Sequence, residues 1–192
     1  MGRWQPGAEM RLAQAGLELF LEQGYECTTV ADIAQRAGVT PRTFFRYFGD
    51  KREVVFAGGP ALQAHVVAAL DAAPQDLPPL QAVHRALDAV GDLLTDRDWS
   101  CRRHAVIISH AELQERELSK LSALSTALAE ALRRRDVDAA EAALTAETGV
   151  LVFRTAFERW IAEPAERPLA DVLAECFVQL RVLAGGWTPP PG

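Results

Sequence analysis

The stretch from Thr40 to Lys51, TPRTFFRYFGDK, brings three kinds of recognition chemistry into one short segment. Arg42 and Arg46 carry planar guanidinium groups, which match phosphate oxygens or the N7/O6 edge of guanine. Thr40, Thr43 and Tyr47 offer hydroxyls, and Lys51 adds a compact ammonium, all suited to the phosphate backbone. Phe44, Phe45 and Phe48 supply rings. On an α-helix these residues separate: Phe44 and Phe48, four apart, share one face, while Arg42, Phe45 and Arg46 lie at i, i+3 and i+4 on the other. Tyr47 falls on a flank. One face of such a helix suits a protein core and the other suits nucleic acid.

Competing chemistries find little support. His65, His84, His104 and His110 show neither an HExxH pattern nor clustered ligand spacing, so no metal site is expected. Cys101 and His104 share a helical turn, but no orienting acid or glycine elbow marks a nucleophile. Gly58-Gly59 is not followed by the GK[ST] of a phosphate loop. No enzyme activity and no cofactor are expected. Three scattered cysteines, Cys27, Cys101 and Cys176, read as reduced, buried thiols of a cytoplasmic protein. No apolar run approaches the ~20 residues that span a bilayer, and the opening MGRWQPGAEMR has no export signal, so no membrane partner is expected.

Charge distribution is more informative than its total. The chain has 192 residues and a net charge of −6. Residues 1–56 hold seven Lys/Arg against seven Asp/Glu, leaving 13 against 19 for the remainder. Within the balanced part, Arg36, Arg42, Arg46, Lys51 and Arg52 face only Asp50 across positions 36–52, the pattern of an electrostatic footprint on DNA.

The elements that must position these residues are legible in order. Leu12, Ala15, Gly16, Leu19 and Phe20 give a helix over about 8–22, ended by Gly24. Thr29 with Asp32 reads as a capping box opening a helix whose buried side is Val30, Ile33, Ala34 and Ala37. Gly38 stops it, Thr40 caps the next helix, and Pro41 suits its first turn. Helix, tight glycine turn and helix form the arrangement whose second helix enters the major groove. Gly49 is expected to close that helix. Asp50 then caps a fourth one that puts Lys51 in its first turn beside free amides and runs to about Ala72, with a kink at Gly58-Gly59-Pro60.

With these residues in place, the chain resembles the TetR family of bacterial one-component transcription regulators. The likeness covers residues 8–56 and rests on LFLEQGY, TTVADIAQRAGVT, TFFRYF and DKREVVF in that order. It implies an all-α fold with a three-helix, helix-turn-helix head at 1–56, a helical effector-binding and dimerisation domain at 57–186, and a disordered tail at 187–192. It implies that Thr29 touches phosphate, that Thr40, Arg42 and Phe45 lie nearest base edges, and that Thr43, Tyr47 and Lys51 hold the backbone. Phe45 stands where a tyrosine is usual, which leaves an apolar contact in place of a hydroxyl. Only Arg3 and Arg11 precede or open the first helix, fewer basic residues than a minor-groove arm needs.

Further helices are expected at about 80–94, 100–109, 112–134, 137–162 and 169–184, after a loop at 72–79. Arg133 to Arg135 end one of them, where cations suit the helix dipole. The last two have apolar faces wide enough to need both their own core and a partner subunit, which predicts a homodimer through a four-helix interface. Trp99, His104, Ile108, Phe153 and Phe157 are candidate lining of an effector cavity. The wording CRRHAVIISHAELQERELSKL and LADVLAECFVQL is similar to the mycofactocin-type branch of the family, which implies an acyl-CoA-like effector, with Arg102 or Arg103 meeting its anionic head. The resulting expectation is a repressor that binds a palindromic operator in double-stranded DNA as a dimer and is released by a small apolar ligand. A helical partner-binding adaptor without DNA binding is the alternative, but it gives no reason for the Thr40–Lys51 constellation.

Overall fold

The computed structural model describes residues 7–91, 93–94, 96–163 and 167–186. The tail assigned to 187–192 and Arg3 lie outside these. Every element among the described residues is helical: α1 (Ala8–Gln23), α2 (Val30–Arg36), α3 (Pro41–Tyr47), a 3₁₀ helix (Lys51–Phe56), α4 (Gly59–Asp71), α5 (Pro79–Gly91), α6 (Arg97–Ile108), α7 (Ala111–Arg133), α8 (Ala139–Ala162) and α9 (Leu169–Gly185). Two compact units result. The first comprises residues 1–60 and 98–119, and the second residues 61–97 and 120–192.

The first unit is built around rings. Phe20, Tyr25, Phe44, Phe48 and Phe56 join Leu12, Leu17, Ile33 and Val54 in one core, to which α6 and the start of α7 add Val106, Ile107 and Leu113. The short helices α2 and α3 hold their register by caps and a turn rather than by length, since seven-residue helices are marginal alone. Gly38 between them has φ 67°, a left-handed conformation that a side chain would oppose.

The expected fourth helix is two elements. Residues 51–56 tighten into a 3₁₀ helix, the chain breaks at Gly58-Gly59, and α4 begins afresh. The Lys51–Asp71 stretch is apolar and long enough by composition to cross a membrane. In this fold it is divided, with Val54, Val55 and Phe56 buried in one core and Val66 and Leu70 in another. Nor does Gly49 close α3, which ends at Tyr47 with extended Phe48 as its cap.

The second unit packs α4, α5, α8, α9 and the later part of α7 around Leu70, Leu87, Leu128, Leu132, Trp160 and Leu173, with alanine at many of the remaining core positions. Arginines close its helix ends. Arg97 donates to the carbonyls of Trp160 and Ile161, each at 3.1 Å, and to that of Glu163. Arg135, expected from sequence to end a helix where a cation suits the dipole, donates to the carbonyls of Leu70 (3.2 Å), Ala73 (2.8 Å) and Pro74 (2.6 Å). Its neighbour Arg134 pairs with Asp71 at 2.9 Å. Arg97 and Arg135 thus supply donors to carbonyls that a helix end or loop leaves open. Of the three cysteines only Cys176 is buried; Cys101 is half-buried and Cys27 is exposed, contrary to the expectation of three buried thiols.

Candidate nucleic-acid interface

The site begins with two caps. At the start of α2 the Thr29 hydroxyl accepts from the Asp32 amide (3.2 Å) and donates to the Asp32 carboxylate (2.7 Å), which in turn accepts from the Thr29 amide (2.9 Å). Those bonds hold the Asp32 carboxyl below the usual carboxylate range, the hydroxyl bond being the larger cause. At the start of α3 the Thr40 hydroxyl accepts from the Thr43 amide at 3.2 Å and lies 3.1 Å from the Thr43 hydroxyl. Both caps match the sequence reading.

On α3 the faces separate as the spacing predicts. Phe44 is fully buried and Phe48 nearly so, their ring centroids 5.5 Å apart. Phe45 is 59% exposed. Arg42 is exposed and has no side-chain partner among the described residues. Arg46 is exposed and donates to the Tyr47 hydroxyl (3.1 Å), its guanidinium carbon 4.9 Å from the Tyr47 ring centre.

The other cations of the basic stripe are committed inside the unit. Arg36 donates to both carboxylate oxygens of Glu22, at 3.0 and 2.7 Å, and lies 3.6 Å from Glu18. This holds the Glu22 carboxyl low and raises the guanidinium. Arg52 bonds Asp50 at 2.5 Å, and the pairing depresses the Asp50 carboxyl. Lys51 differs most from expectation. Its Nζ donates to the carbonyls of Tyr25 (2.8 Å) and Thr28 (3.3 Å) and lies 4.2 Å from the Tyr25 ring centre. An ammonium held this way ties the α1–α2 turn to the 3₁₀ helix, where the sequence suggested a free cation beside a helix N-terminus.

Tyr25 and Arg103 hold the first unit together in ways the sequence reading did not assign to them. Tyr25 is buried, packs edge-on against Phe20 at 5.1 Å, and has its hydroxyl 3.5 Å from Glu112. Burial first and the Glu112 charge second push its phenol up to about 12. Arg103, expected to face an effector, instead donates to the Val55 carbonyl at 2.6 Å and to Glu117 at 3.3 Å, over the Phe56 ring. Burial pulls its guanidinium pKa down. Neither partner set has a local sequence signal, because the contacts join residues 14 to 87 positions apart.

The other candidate effector residues fall into separate groups. Trp99 packs on the core of the first unit, where Ile108 is 54% exposed, His104 is half-buried and Arg102 pairs with Asp98 at 2.9 Å. Phe153 and Phe157 belong to α8 in the second unit and form an aromatic line with Trp160, with centroids 6.4 and 5.9 Å apart.

A capped, glycine-turned helix pair whose second helix buries phenyl rings and presents guanidinium groups defines the helix-turn-helix class of transcription regulator. Residues 12–57 match the bacterial regulatory proteins of the tetR family, and residues 77–184 match the MftR C-terminal domain. The chain belongs to the TetR family of bacterial transcriptional regulators, with an MftR-type C-terminal domain. It is 48% identical over 80 residues to the HTH-type transcriptional regulator TcmR of Streptomyces glaucescens, a stretch covering 42% of this chain and 35% of that one. The chain thus spans only about a third of that relative's length.

Two solved structures share the fold over nearly the whole chain. Thermus thermophilus FadR, a TetR-family transcriptional repressor in complex with lauroyl-CoA, aligns at TM-score 0.56 and 24% identity, covering 96% of this chain and 99% of that one. The fatty acid degradation regulator FadR of Bacillus halodurans aligns at TM-score 0.61 and 16% identity, covering 98% and 100%. The matched family and relatives are transcriptional regulators, not enzymes.

Proposed function

We propose that this protein is a cytoplasmic repressor that binds a palindromic operator as a homodimer and leaves it when a small apolar effector occupies its helical C-terminal domain, within residues 57–186. The observation that carries this reading is the division of α3, with Phe44 and Phe48 buried and Arg42, Phe45 and Arg46 turned outward. In this reading Arg42 and Phe45 meet base edges with Thr40. Thr29, Thr43, Arg46 and Tyr47 meet phosphates, and Lys51 keeps the head in register from within.

Dimerisation through α8 and α9 is supported by apolar side chains left uncovered there. Leu144, Leu151, Val178, Val182 and Leu183 each expose more than half of their surface, far more than a lone chain gains from. Two heads on half-sites about 34–36 Å apart double the contacts of one, as specific binding at physiological salt requires. An acyl-CoA-like effector fits the MftR-type C-terminal match and the alanine-rich apolar core, with Phe153 and Phe157 as lining. Release requires a coupling of only ~1–3 kcal/mol between effector and operator binding.

The test is a mobility shift of the full-length protein on the intergenic DNA upstream of its own gene, with and without lauroyl-CoA. Retarded DNA, freed by the acyl-CoA and lost with Arg42→Ala, is the expected result. Failure to retard any duplex under low salt would overturn the reading.

A further inference from the structure

The outward side of α3 carries one group that neither charge nor stability explains. Phe45 is 59% exposed in a unit whose other phenylalanines, Phe20, Phe44, Phe48 and Phe56, are buried. Its ring is nonetheless held, edge-on against Phe44 with centroids 5.4 Å apart and planes at 81°. Arg42, three positions earlier on the same face, has a guanidinium without a partner among the described residues, whereas Arg46 is drawn to the Tyr47 hydroxyl. The helix therefore presents a braced phenyl ring beside one free guanidinium.

Base edges in the major groove offer hydrogen-bond donors, acceptors and a single apolar group, the C5 methyl of thymine. A phenyl ring can gain there only by covering that methyl, since pressing it on donors or acceptors strips their water without replacement. We infer that Phe45 is a specificity-determining residue that selects thymine through its C5 methyl. Three residues of helix advance about 4.5 Å along the axis, roughly one base step of about 3.4 Å. A guanine read by Arg42 thus lies next to that thymine in each half-site. This inference rests on the DNA-binding reading above.

The experiment selects duplexes from a random pool with the full-length protein, then remakes the winning duplex with each thymine replaced in turn by deoxyuridine, which lacks only the methyl. For the parent protein, one thymine per half-site should show a loss of about fourfold on replacement, the effect of one buried methyl group. Phe45→Ala should bind the thymine duplex that much more weakly and show no further loss with uracil. Phe45→Leu, still apolar, should remain sensitive to uracil. Unchanged circular dichroism of both variants would tie these effects to contact rather than folding. Selection of a duplex in which every thymine tolerates uracil would overturn the Phe45 inference while leaving the repressor reading intact. Equal uracil sensitivity in parent and Phe45→Ala would do the same. Enrichment of no duplex at all would overturn both.

Discussion

The two units of this chain solve the same problem, a helical core, with different materials. The first packs rings: Phe20, Tyr25, Phe44, Phe48 and Phe56 meet across helices of six to sixteen residues and the turns beside them. The second packs small residues: Ala82, Ala86, Ala131, Ala142, Ala146 and Ala156 line helices of up to 24 residues. Short helices cannot hold themselves, so the first unit adds caps, a cation-filled turn and exposed or half-buried ion pairs. Long helices are stable by extended burial and tolerate generic apolar faces. Close approach occurs in both, at Gly16 against Val54 and at Gly149 against Val83. In the first unit, α3 sets buried rings against an outward face of guanidinium groups and one phenyl ring. A recognition surface needs positions fixed to fractions of a residue, whereas a helical container needs only volume.

Phe44→Ala should break this contrast most severely. The ring is fully buried where α1, α2 and α3 meet, and its loss should cost about 3–5 kcal/mol. Chemical denaturation should show a weakened transition while the α8–α9 tryptophan, Trp160, keeps its native fluorescence to higher denaturant. A single unchanged transition would show that the ring is not central to the first unit.

Lys51 sharpens the comparison next. With its ammonium on the Tyr25 and Thr28 carbonyls, Lys51→Met should cost about 1.5–3 kcal/mol of stability, the range for charge-assisted hydrogen bonds. The slope of operator affinity against salt should not change. Arg46→Ala, which removes a cation assigned to phosphate, should behave oppositely, leaving stability intact and lowering that slope by about one per head. Denaturation and fluorescence anisotropy over a salt series separate the two patterns.

These residues also mark how far the sequence could be read. Phe44 and Phe48 were separable from Phe45 by helical spacing alone, and the Thr29–Asp32 box and Thr40 cap are local signals three residues long. The family pattern rests on the same local features. Lys51 and Arg103 looked available because their partners are set by the fold, 14 to 48 positions away. The 3₁₀ form of 51–56 was hidden for a similar reason: the apolar run VVF suits either helix, and burial of all three side chains decides which. Long helices such as α7 to α9 were legible throughout, because periodicity sustained over many turns leaves little choice.

Thr29→Ala removes a cap, at a cost of about 1 kcal/mol. Its pH dependence is the more telling readout. Asp32 has a folded-state pKa below its unfolded value, so its contribution is present above the ordinary carboxylate range and is lost as pH falls through the folded value. Thr29→Ala should flatten that acid limb. Tyr25 works at the other end. Its phenol ionises near 10 when unfolded and at about 12 when folded, so its contribution is complete below about pH 10 and lost as pH rises toward 12. Tyr25→Phe should remove that alkaline slope in a pH series of thermal midpoints.

The smallest effect belongs to Arg36, which sequence alone would count among the DNA-facing cations. Its guanidinium forks onto Glu22 with Glu18 behind it, so its charge is already met by carboxylates before any phosphate arrives. Releasing counterions requires a cation that the free protein leaves unneutralised. Arg36→Ala should therefore leave the salt slope of operator binding where it was. Glu22→Gln combined with Glu18→Gln, which removes both carboxylates that meet Arg36, should steepen that slope by about one per head. If Arg36→Ala lowered the slope as much as Arg46→Ala, the ion pair would have to open on DNA, and the division between committed and available cations would fall with it.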